Sequence, residues 1–198
     1  NIATHNTGGV LIFDLPNLPQ MGGHNVRVFD NIIVDNMTPN FAPKGNIVAN
    51  VPTGTGVMVM ANRNVEIFDN VLGDNGTTNI MVVGYRFPHQ DAKYDPLPRD
   101  VVIWDNQHGK AGWDPQFRGG KEIAAAMGGS FPAIFWDGAG GPERAPIISD
   151  SVPALSLGLS DIMADPTTAK PSPLTPSDKR PAALPAIILP AAMEAAVR

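Results

Sequence analysis

The sequence predicts an all-β solenoid, in which one short β segment is wound repeatedly upon itself. A phrase that ends in Asp-Asn occurs three times, at residues 25–31, 64–70 and 100–106. A second phrase, rich in Val, Ile and Met, occurs at residues 9–13, 56–60 and 79–83. Internal repeats of short β segments indicate that equivalent units stack on one another, each coil contacting its neighbours.

The intervals between the copies indicate where loops are inserted. The shortest interval, 23 residues from Gly56 to Asn79, gives the length of a bare coil, and the longer intervals contain loops. Residues 15–23 and 37–45 are dense in Pro, Gly and Asn, which break strands and form turns. Insertions in solenoids usually decorate one face, and that face is often the binding face.

Alternation within each phrase predicts which side chains form the core. In a strand, successive side chains point to opposite faces, so Val26 and Val28 share one face while Arg27 and Phe29 share the other. We expect the aliphatic side chains to stack into one apolar column, made of the pairs Val26 and Val28, Val65 and Ile67, and Val101 and Ile103. This register keeps Arg27 and Glu66 in water.

The asparagine that ends each copy predicts a turn. Asn31, Asn70 and Asn106 fall where each strand ends, and Asn tolerates the left-handed backbone of tight corners. Stacked Asn side chains can also hydrogen-bond to the coils above and below them. A structural role therefore explains these residues without any catalytic one.

The repeated phrases resemble the right-handed parallel β-helix of the pectate-lyase-like superfamily. More narrowly, residues 6–19, 40–43 and 54–56 are similar to secreted bacterial parallel β-helix repeat proteins whose activity is undefined. The resemblance covers about residues 1–138. It implies an all-β, right-handed parallel β-helix with loop insertions, an extracytoplasmic location in the periplasm or outside the cell, and polysaccharide as the class of ligand.

The chain is predicted to divide near residue 150. Residues 1–150 are expected to form the β-helix domain, and the opening on Asn1 rather than Met suggests that upstream coils and a signal peptide precede it. Residues 120–128 predict a short helix, and residues 131–138 a last strand. Residues 151–198 form a Pro- and Ala-rich tail that is expected to be extended or partly disordered, with a helical turn or two at residues 191–197.

Composition limits the partners. The net charge of −5 argues against a nucleic-acid surface. The longest apolar run, at residues 182–192, is interrupted by Pro185 and Pro190, so no segment is long enough to span a membrane. The chain has no cysteine, which excludes disulfides and cysteine-bound metals.

One loop carries the residue types that an enzyme of this superfamily would need. Enzymes of the superfamily act on acidic polysaccharides, and residues 85–95 combine His89 as a base, Tyr94 as a proton donor, and Arg86 or Lys93 to stabilise the substrate carboxylate. Residues 88–91 are similar to the Asp-Pro-His motif of alginate epimerases, with Phe87 in place of the leading Asp. The enzymatic hypothesis is therefore a lyase or an epimerase, and the alternative is a solvated polar connection.

A column of three aspartates is a second candidate site. Asp30, Asp69 and Asp105 are expected to stack roughly 4.8 Å apart, where they would repel unless they are solvated, protonated or bridged by Ca²⁺. Turn capping is the alternative explanation. His5, His24 and His108 lack metal-ligand spacing and are interpreted as loop residues.

Aromatic residues on the outer face suggest a binding module instead of an enzyme. Phe29, Phe68 and Trp104 are expected to form an outward ladder that either presents flat rings to sugars or is covered by the inserted loops. A third hypothesis requires no sugar-binding site. In that hypothesis the protein is a non-catalytic scaffold of the cell envelope that binds another envelope protein.

Overall fold

The computed structural model describes residues 1–159, 161–177, 179, 182, 185–186, 188 and 190–197. Within these residues the chain forms mostly short strands and few helices. The strands are β1 Ile2–Thr4, β2 Gly8–Phe13, β3 His24–Phe29, β4 Ile32–Val34, β5 Thr55–Met60, β6 Arg63–Phe68, β7 Val71–Gly73, β8 Thr78–Val83, β9 Arg99–Trp104, β10 Gln107–His108, β11 Ile134–Trp136, β12 Ile147–Ile148, β13 Ala154–Ser156 and β14 Ser172–Pro173. The helices are α1 Gly120–Ala126 and α2 Ala191–Val197, with 3₁₀ turns at Ile47–Asn50, Pro142–Arg144 and Pro166–Thr168.

The strands assemble into three sheets that are almost entirely parallel. One sheet has the order β1-β4-β7-β10, a second has β3-β6-β9-β12, and the six-stranded third has β2-β5-β8-β11-β13-β14. The exception is the last pair, in which β13 and β14 run antiparallel. From β1 to β12 the chain visits the three sheets in turn before it returns to the first, so neighbours within a sheet are separated by intervening strands. An all-β fold of parallel sheets is therefore confirmed.

The predicted core register is confirmed. Val26 pairs with Val65 and Val65 with Val101, while Val28, Ile67 and Ile103 form the second row. Five of these six side chains are buried, and Val26 packs against the same cluster at partial exposure. The second phrase is also in register, since Val57 of β5 lies between Val10 and Ile80.

Glu66 was predicted to lie in water, and that prediction is wrong, because Glu66 is buried. Its carboxylate accepts a hydrogen bond from the Arg27 Nε at 2.8 Å, and both side chains are largely shielded from solvent. Arg27 also donates to the Pro185 carbonyl at 2.9 Å. The outer face of this sheet therefore carries a shielded ion pair where the sequence predicted two solvated charges.

The inner strands of the six-stranded sheet, β5, β8, β11 and β13, are buried on both faces. Val57 and Val59 of β5 face the interior cluster shared by the three sheets. Met58 and Met60 point the other way, yet they are equally buried in a second apolar cluster. Residues from the inserted loops and from the segment after β13 cover this outer face, among them Val51, Phe131 and Leu157. Loops thus build a second apolar layer outside the sheet.

Several element predictions need correction. Residues 131–138 contain β11, but it is not the last strand, because β12, β13 and β14 follow it. The six-stranded sheet continues past residue 150, since β13 pairs with β11 in parallel. Both predicted helices are confirmed, as α1 and α2. Part of the predicted disordered tail lies outside the described residues.

Two ladders of Asn side chains run across the strand ends. In the first, the amide of Asn1 donates to Asn31, Asn31 to Asn70, Asn70 to Asn106, and Asn106 to the Asp150 carboxylate, at 2.8–2.9 Å. The second ladder, which the sequence did not predict, runs from Asn6 through Asn36 and Asn75 to Asn79. The structural role of Asn31, Asn70 and Asn106 is confirmed.

The left-handed residue of each turn is the Asp before the Asn, not the Asn itself. Asp30, Asp69 and Asp105 have φ of 53°, 53° and 54°. Asp tolerates this conformation for the same reason as Asn, since its short polar side chain can bond locally to the backbone. The Asn residues are thereby left free to build the ladder.

Within the residues that the structure describes, no helix combines the length and apolar character needed to cross a lipid bilayer.

Candidate functional site

The loop predicted to be catalytic connects β8 to β9 and is anchored at both ends. Its first residues are held by the Gly84 N–H, which donates to Asp137 at 2.8 Å, and by the Tyr85 N–H, which donates to the Pro96 carbonyl at 2.8 Å. Asp91 caps the centre of the loop by accepting from the Lys93 N–H at 3.0 Å. The loop therefore has a defined shape that fixes its side chains.

Tyr94 is buried, and its hydroxyl already has a partner. The hydroxyl donates to the Asp14 carbonyl at 2.7 Å, which ties the loop to the end of β2. Burial, reinforced by the nearby Asp14 carboxylate, raises the pKa of the Tyr94 phenol well above its usual range. His89 packs edge-on against this ring at 5.0 Å, and its Nδ1 lies 3.1 Å from the Phe87 carbonyl. The structure thus brings His89 and Tyr94 together as an aromatic contact.

Arg86 and Lys93 lie in different cavities. The Arg86 guanidinium donates to the Ala164 carbonyl and lines an apolar cavity on the outer face of the six-stranded sheet. Lys93 is exposed and lines a separate cavity beside Tyr94. The four predicted catalytic residues are therefore divided between two places.

The cavity beside Tyr94, called here the polar cleft, has a volume of about 60 Å³. Three cations and two carboxylates line it, which gives a formal charge of +1 in a chain whose net charge is −5. These residues are Arg63, Lys93, Arg99, Asp14 and Asp95. The remaining wall is formed by Gly22, Gly23, Ala61 and Tyr94.

Two of the cations come from neighbouring strands. Arg63 and Arg99 pair in register at the starts of β6 and β9, and His24 occupies the equivalent place in β3. Arg99 lies 3.6 Å from the Asp95 carboxylate and 4.0 Å from that of Asp100. Arg63, by contrast, has no carboxylate within ion-pair distance among the described residues. These arginines were not among the site residues predicted from the sequence, although each stands directly before a repeated phrase and could have been identified by that position.

The predicted aromatic ladder forms, but its rings stack on one another. Phe29 and Phe68 lie 5.1 Å apart and Phe68 and Trp104 4.4 Å apart, with planes within 3° and 7° of parallel. Each inner ring face is therefore covered by its neighbour, and sugars would meet mainly ring edges. Phe29 is 45% exposed, so loops do not cover the whole ladder. This geometry gives a sugar-stacking role little support, and that role stays a prediction.

The aspartate column lies on exposed turns. Among the described residues, no group of three or more His, Asp or Glu side chains is arranged to hold a metal ion. Asp30, Asp69 and Asp105 all have left-handed backbone, which supports the turn explanation over the calcium explanation. A calcium site at this column stays a prediction.

We expect Asp69→Asn to leave the melting temperature unchanged with or without millimolar Ca²⁺, because Asn tolerates a left-handed backbone as well as Asp does. Asp69→Val should instead cost about 1–2 kcal/mol, since a β-branched residue is strained there. Thermal unfolding followed by circular dichroism measures both. A calcium-dependent rise in the parent protein that disappears in Asp69→Asn would restore the calcium explanation.

Two of the histidines are not loop residues. His24 begins β3, and His108 lies in β10 with its side chain only 2% exposed. The His108 Nε2 contacts the Asp150 carboxylate at 2.9 Å, and its Nδ1 contacts the Asn79 amide at 3.3 Å. Since the Asn79 oxygen accepts from Asn75, its amide nitrogen faces His108 as a donor. His108 therefore joins the ends of the two Asn ladders, a structural position that leaves neither ring nitrogen for catalysis.

No protein-family model matches this chain, and searches of curated proteins and of solved structures return no match either. The resemblance to pectate-lyase-like proteins therefore stays a prediction.

Proposed function

We propose that this protein is an exported right-handed parallel β-helix that binds an acidic polysaccharide at the polar cleft. Three parallel sheets visited in turn, strands in register across each sheet, and two continuous Asn ladders support the β-helix. Export follows from the proposed kinship with secreted β-helix proteins.

The observation that carries the binding proposal is the in-register pair Arg63 and Arg99. Side chains paired in register on adjacent strands lie about 4.8 Å apart, so two guanidinium groups there repel each other unless anions neutralise them. Asp95 and Asp100 lie near Arg99, while Arg63 is left with its charge facing the cleft. A uronate carboxylate suits this place, because guanidinium groups bind carboxylates in a two-pronged geometry.

Lys93 adds a third cation to the lining of the polar cleft, beside Arg63 and Arg99. The cleft has room for one carboxylate and its adjacent ring atoms, and the rest of a polymer would extend over the exposed surface. His24 occupies the position next to Arg63 on the neighbouring strand β3. Acidic polymers with repeated carboxylates therefore fit better than neutral ones.

Binding is better supported than catalysis. The Tyr94 hydroxyl proton is already donated to the Asp14 carbonyl, and its raised pKa makes it a poorer acid. Arg86, the other predicted stabiliser of the substrate carboxylate, lies in the apolar cavity. A lyase or epimerase reaction would need these groups to rearrange.

We expect the parent protein to bind polygalacturonate or alginate and not to bind dextran, which is neutral. Arg63→Ser and Lys93→Ser should each weaken binding by about tenfold, since a hydrogen bond to a charged group contributes about 1.5–3 kcal/mol. Lys121→Ser is the matched control, because it removes the same charge from α1, where Lys121 pairs with Asp114 at 3.0 Å. Isothermal titration calorimetry measures the affinities.

Equal losses in all three variants would indicate unspecific charge attraction and contradict the site. The same mixtures test the enzymatic alternative, because a lyase produces absorbance from an unsaturated sugar and an epimerase exchanges the C5 proton. If His89→Ala abolished either signal, catalysis would replace binding as the function. If the parent bound no acidic polymer, the scaffold of the cell envelope would remain as the better explanation.

A further inference from the structure

A second cavity, called here the apolar cavity, lies on the outer face of the six-stranded sheet and has a volume of about 180 Å³. Its floor is built by Met58, Met60 and Met81 from the adjacent strands β5 and β8. Phe117 and Pro166 contribute from the loops that cover the sheet. The cavity shares no lining residue with the polar cleft.

The size of the apolar cavity matches a ring-sized ligand. An engineered apolar cavity of about 150 Å³ in another protein stays dry and binds benzene. Pockets for drug-sized ligands are larger, at about 300–1,000 Å³. Three thioethers on the floor favour an aromatic group, because sulfur makes favourable contacts with aromatic ring edges.

The charged groups at the wall favour a negative ligand. Three charged residues line the cavity, Arg86, Arg118 and Asp137, which gives a formal charge of +1. Arg118 pairs with Asp165 at 3.0 Å on the surface, while Arg86 makes its side-chain hydrogen bond to the Ala164 carbonyl. A guanidinium has five N–H donors, so that one bond leaves Arg86 able to hold an anion.

Asp137 balances only one of the two guanidinium charges at this cavity. Its two oxygens already accept from the Gly84 N–H at 2.8 Å and the Ala139 N–H at 3.0 Å. The side chain is buried, and this burial raises the pKa of Asp137, while its two backbone hydrogen bonds and the Arg86 guanidinium act in the opposite direction. An otherwise apolar cavity is thus left with excess positive charge at one wall.

We propose that the apolar cavity binds a small aromatic carboxylate of about the size of phenylacetate, with its ring on the three methionines and its carboxylate at Arg86. This site is independent of the polysaccharide proposal, because different side chains build the two cavities.

The test compares phenylacetate with phenylacetamide, its uncharged isostere, by calorimetric titration of the full chain. The parent should bind phenylacetate about tenfold more tightly than the amide, because only the carboxylate forms an ion pair with Arg86 and offers it two acceptor oxygens. Arg86→Gln should remove this preference while the amide binds as before. Arg144→Gln is the matched control, since Arg144 pairs with Asp95 outside the apolar cavity.

A second variant tests the location of the ring. Val83 lines the apolar cavity, so Val83→Phe should fill it and abolish binding of both compounds. Melting curves show whether each variant folds. If Val83→Phe does not fold, the comparison of acid and amide binding in Arg86→Gln still tests the proposal. Absence of phenylacetate binding at millimolar concentration would overturn the proposal. So would equal affinity for acid and amide in the parent, or unchanged binding in a folded Val83→Phe.

Discussion

Replacing Ile67 by Asp is expected to abolish folding. Ile67 is fully buried between Val28 and Ile103 in the central row of the interior cluster. An unpaired carboxylate in such a place costs several kcal/mol, and the cavity left by the lost side chain adds about 2–5 kcal/mol. Proteins of this kind are stable by only about 5–15 kcal/mol, so most of the folded population should be lost. Far-ultraviolet circular dichroism at 25 °C measures the loss of strand structure.

Ile32→Asp provides the matched control. It makes the same chemical change on β4, at a side chain that is 43% exposed. The carboxylate remains in water there, so we expect the variant to fold with a small change in melting temperature. If Ile67→Asp melted at the parent temperature, the register of the three sheets would be wrong.

Asn70→Ala is expected to be the second most damaging change, although it removes only one amide group. The Asn70 amide donates to the Val28 and Phe68 carbonyls and to Asn106, and its oxygen accepts from both the backbone N–H and the side chain of Asn31. The side chain is fully buried, so these groups would lose their partner away from water. Each buried group left unpaired costs about 1–3 kcal/mol, and we therefore expect a loss of at least about 3 kcal/mol.

Urea unfolding measures this free energy. Asn50→Ala is the control, because the Asn50 amide makes only long contacts on an exposed turn, of 3.3 Å to the Ile47 carbonyl and 3.5 Å to the Asn46 carbonyl. That variant should change the free energy of unfolding by less than about 0.5 kcal/mol. Similar losses in the two variants would indicate that water replaces the Asn70 amide, and the ladder would then contribute little stability.

The parts of the fold that could be predicted are those that local sequence patterns specify. Alternation of period two in β3, β6 and β9 was enough to give the core register, and repetition gave the pairing. The sheet of β1, β4, β7 and β10 was missed because strands of two or three residues are too short to show a period. Burial of Glu66 was missed because its partner Arg27 lies 39 residues away in sequence.

The candidate site was predictable only within one loop. Lys93 and Tyr94 were selected for their chemistry, and both line the polar cleft. Arg63 and Arg99 join them only because the strands that begin with these residues pair side by side. Arg86 does not line the polar cleft, because its side chain contacts Ala164 instead. Ala164 is far along the chain, and no local pattern predicts its position.

The direction of the two Asn ladders limits how the molecule can change its length. In each ladder an amide accepts from one side and donates to the other, so an additional Asn layer could be placed between two existing ones without leaving a group unpaired. Asp150 differs, because a carboxylate only accepts, and both series of bonds end on it, one through Asn106 and the other through His108. In the terms of polymer chemistry, the amides are chain-extending units, and Asp150 is the end group that stops the series.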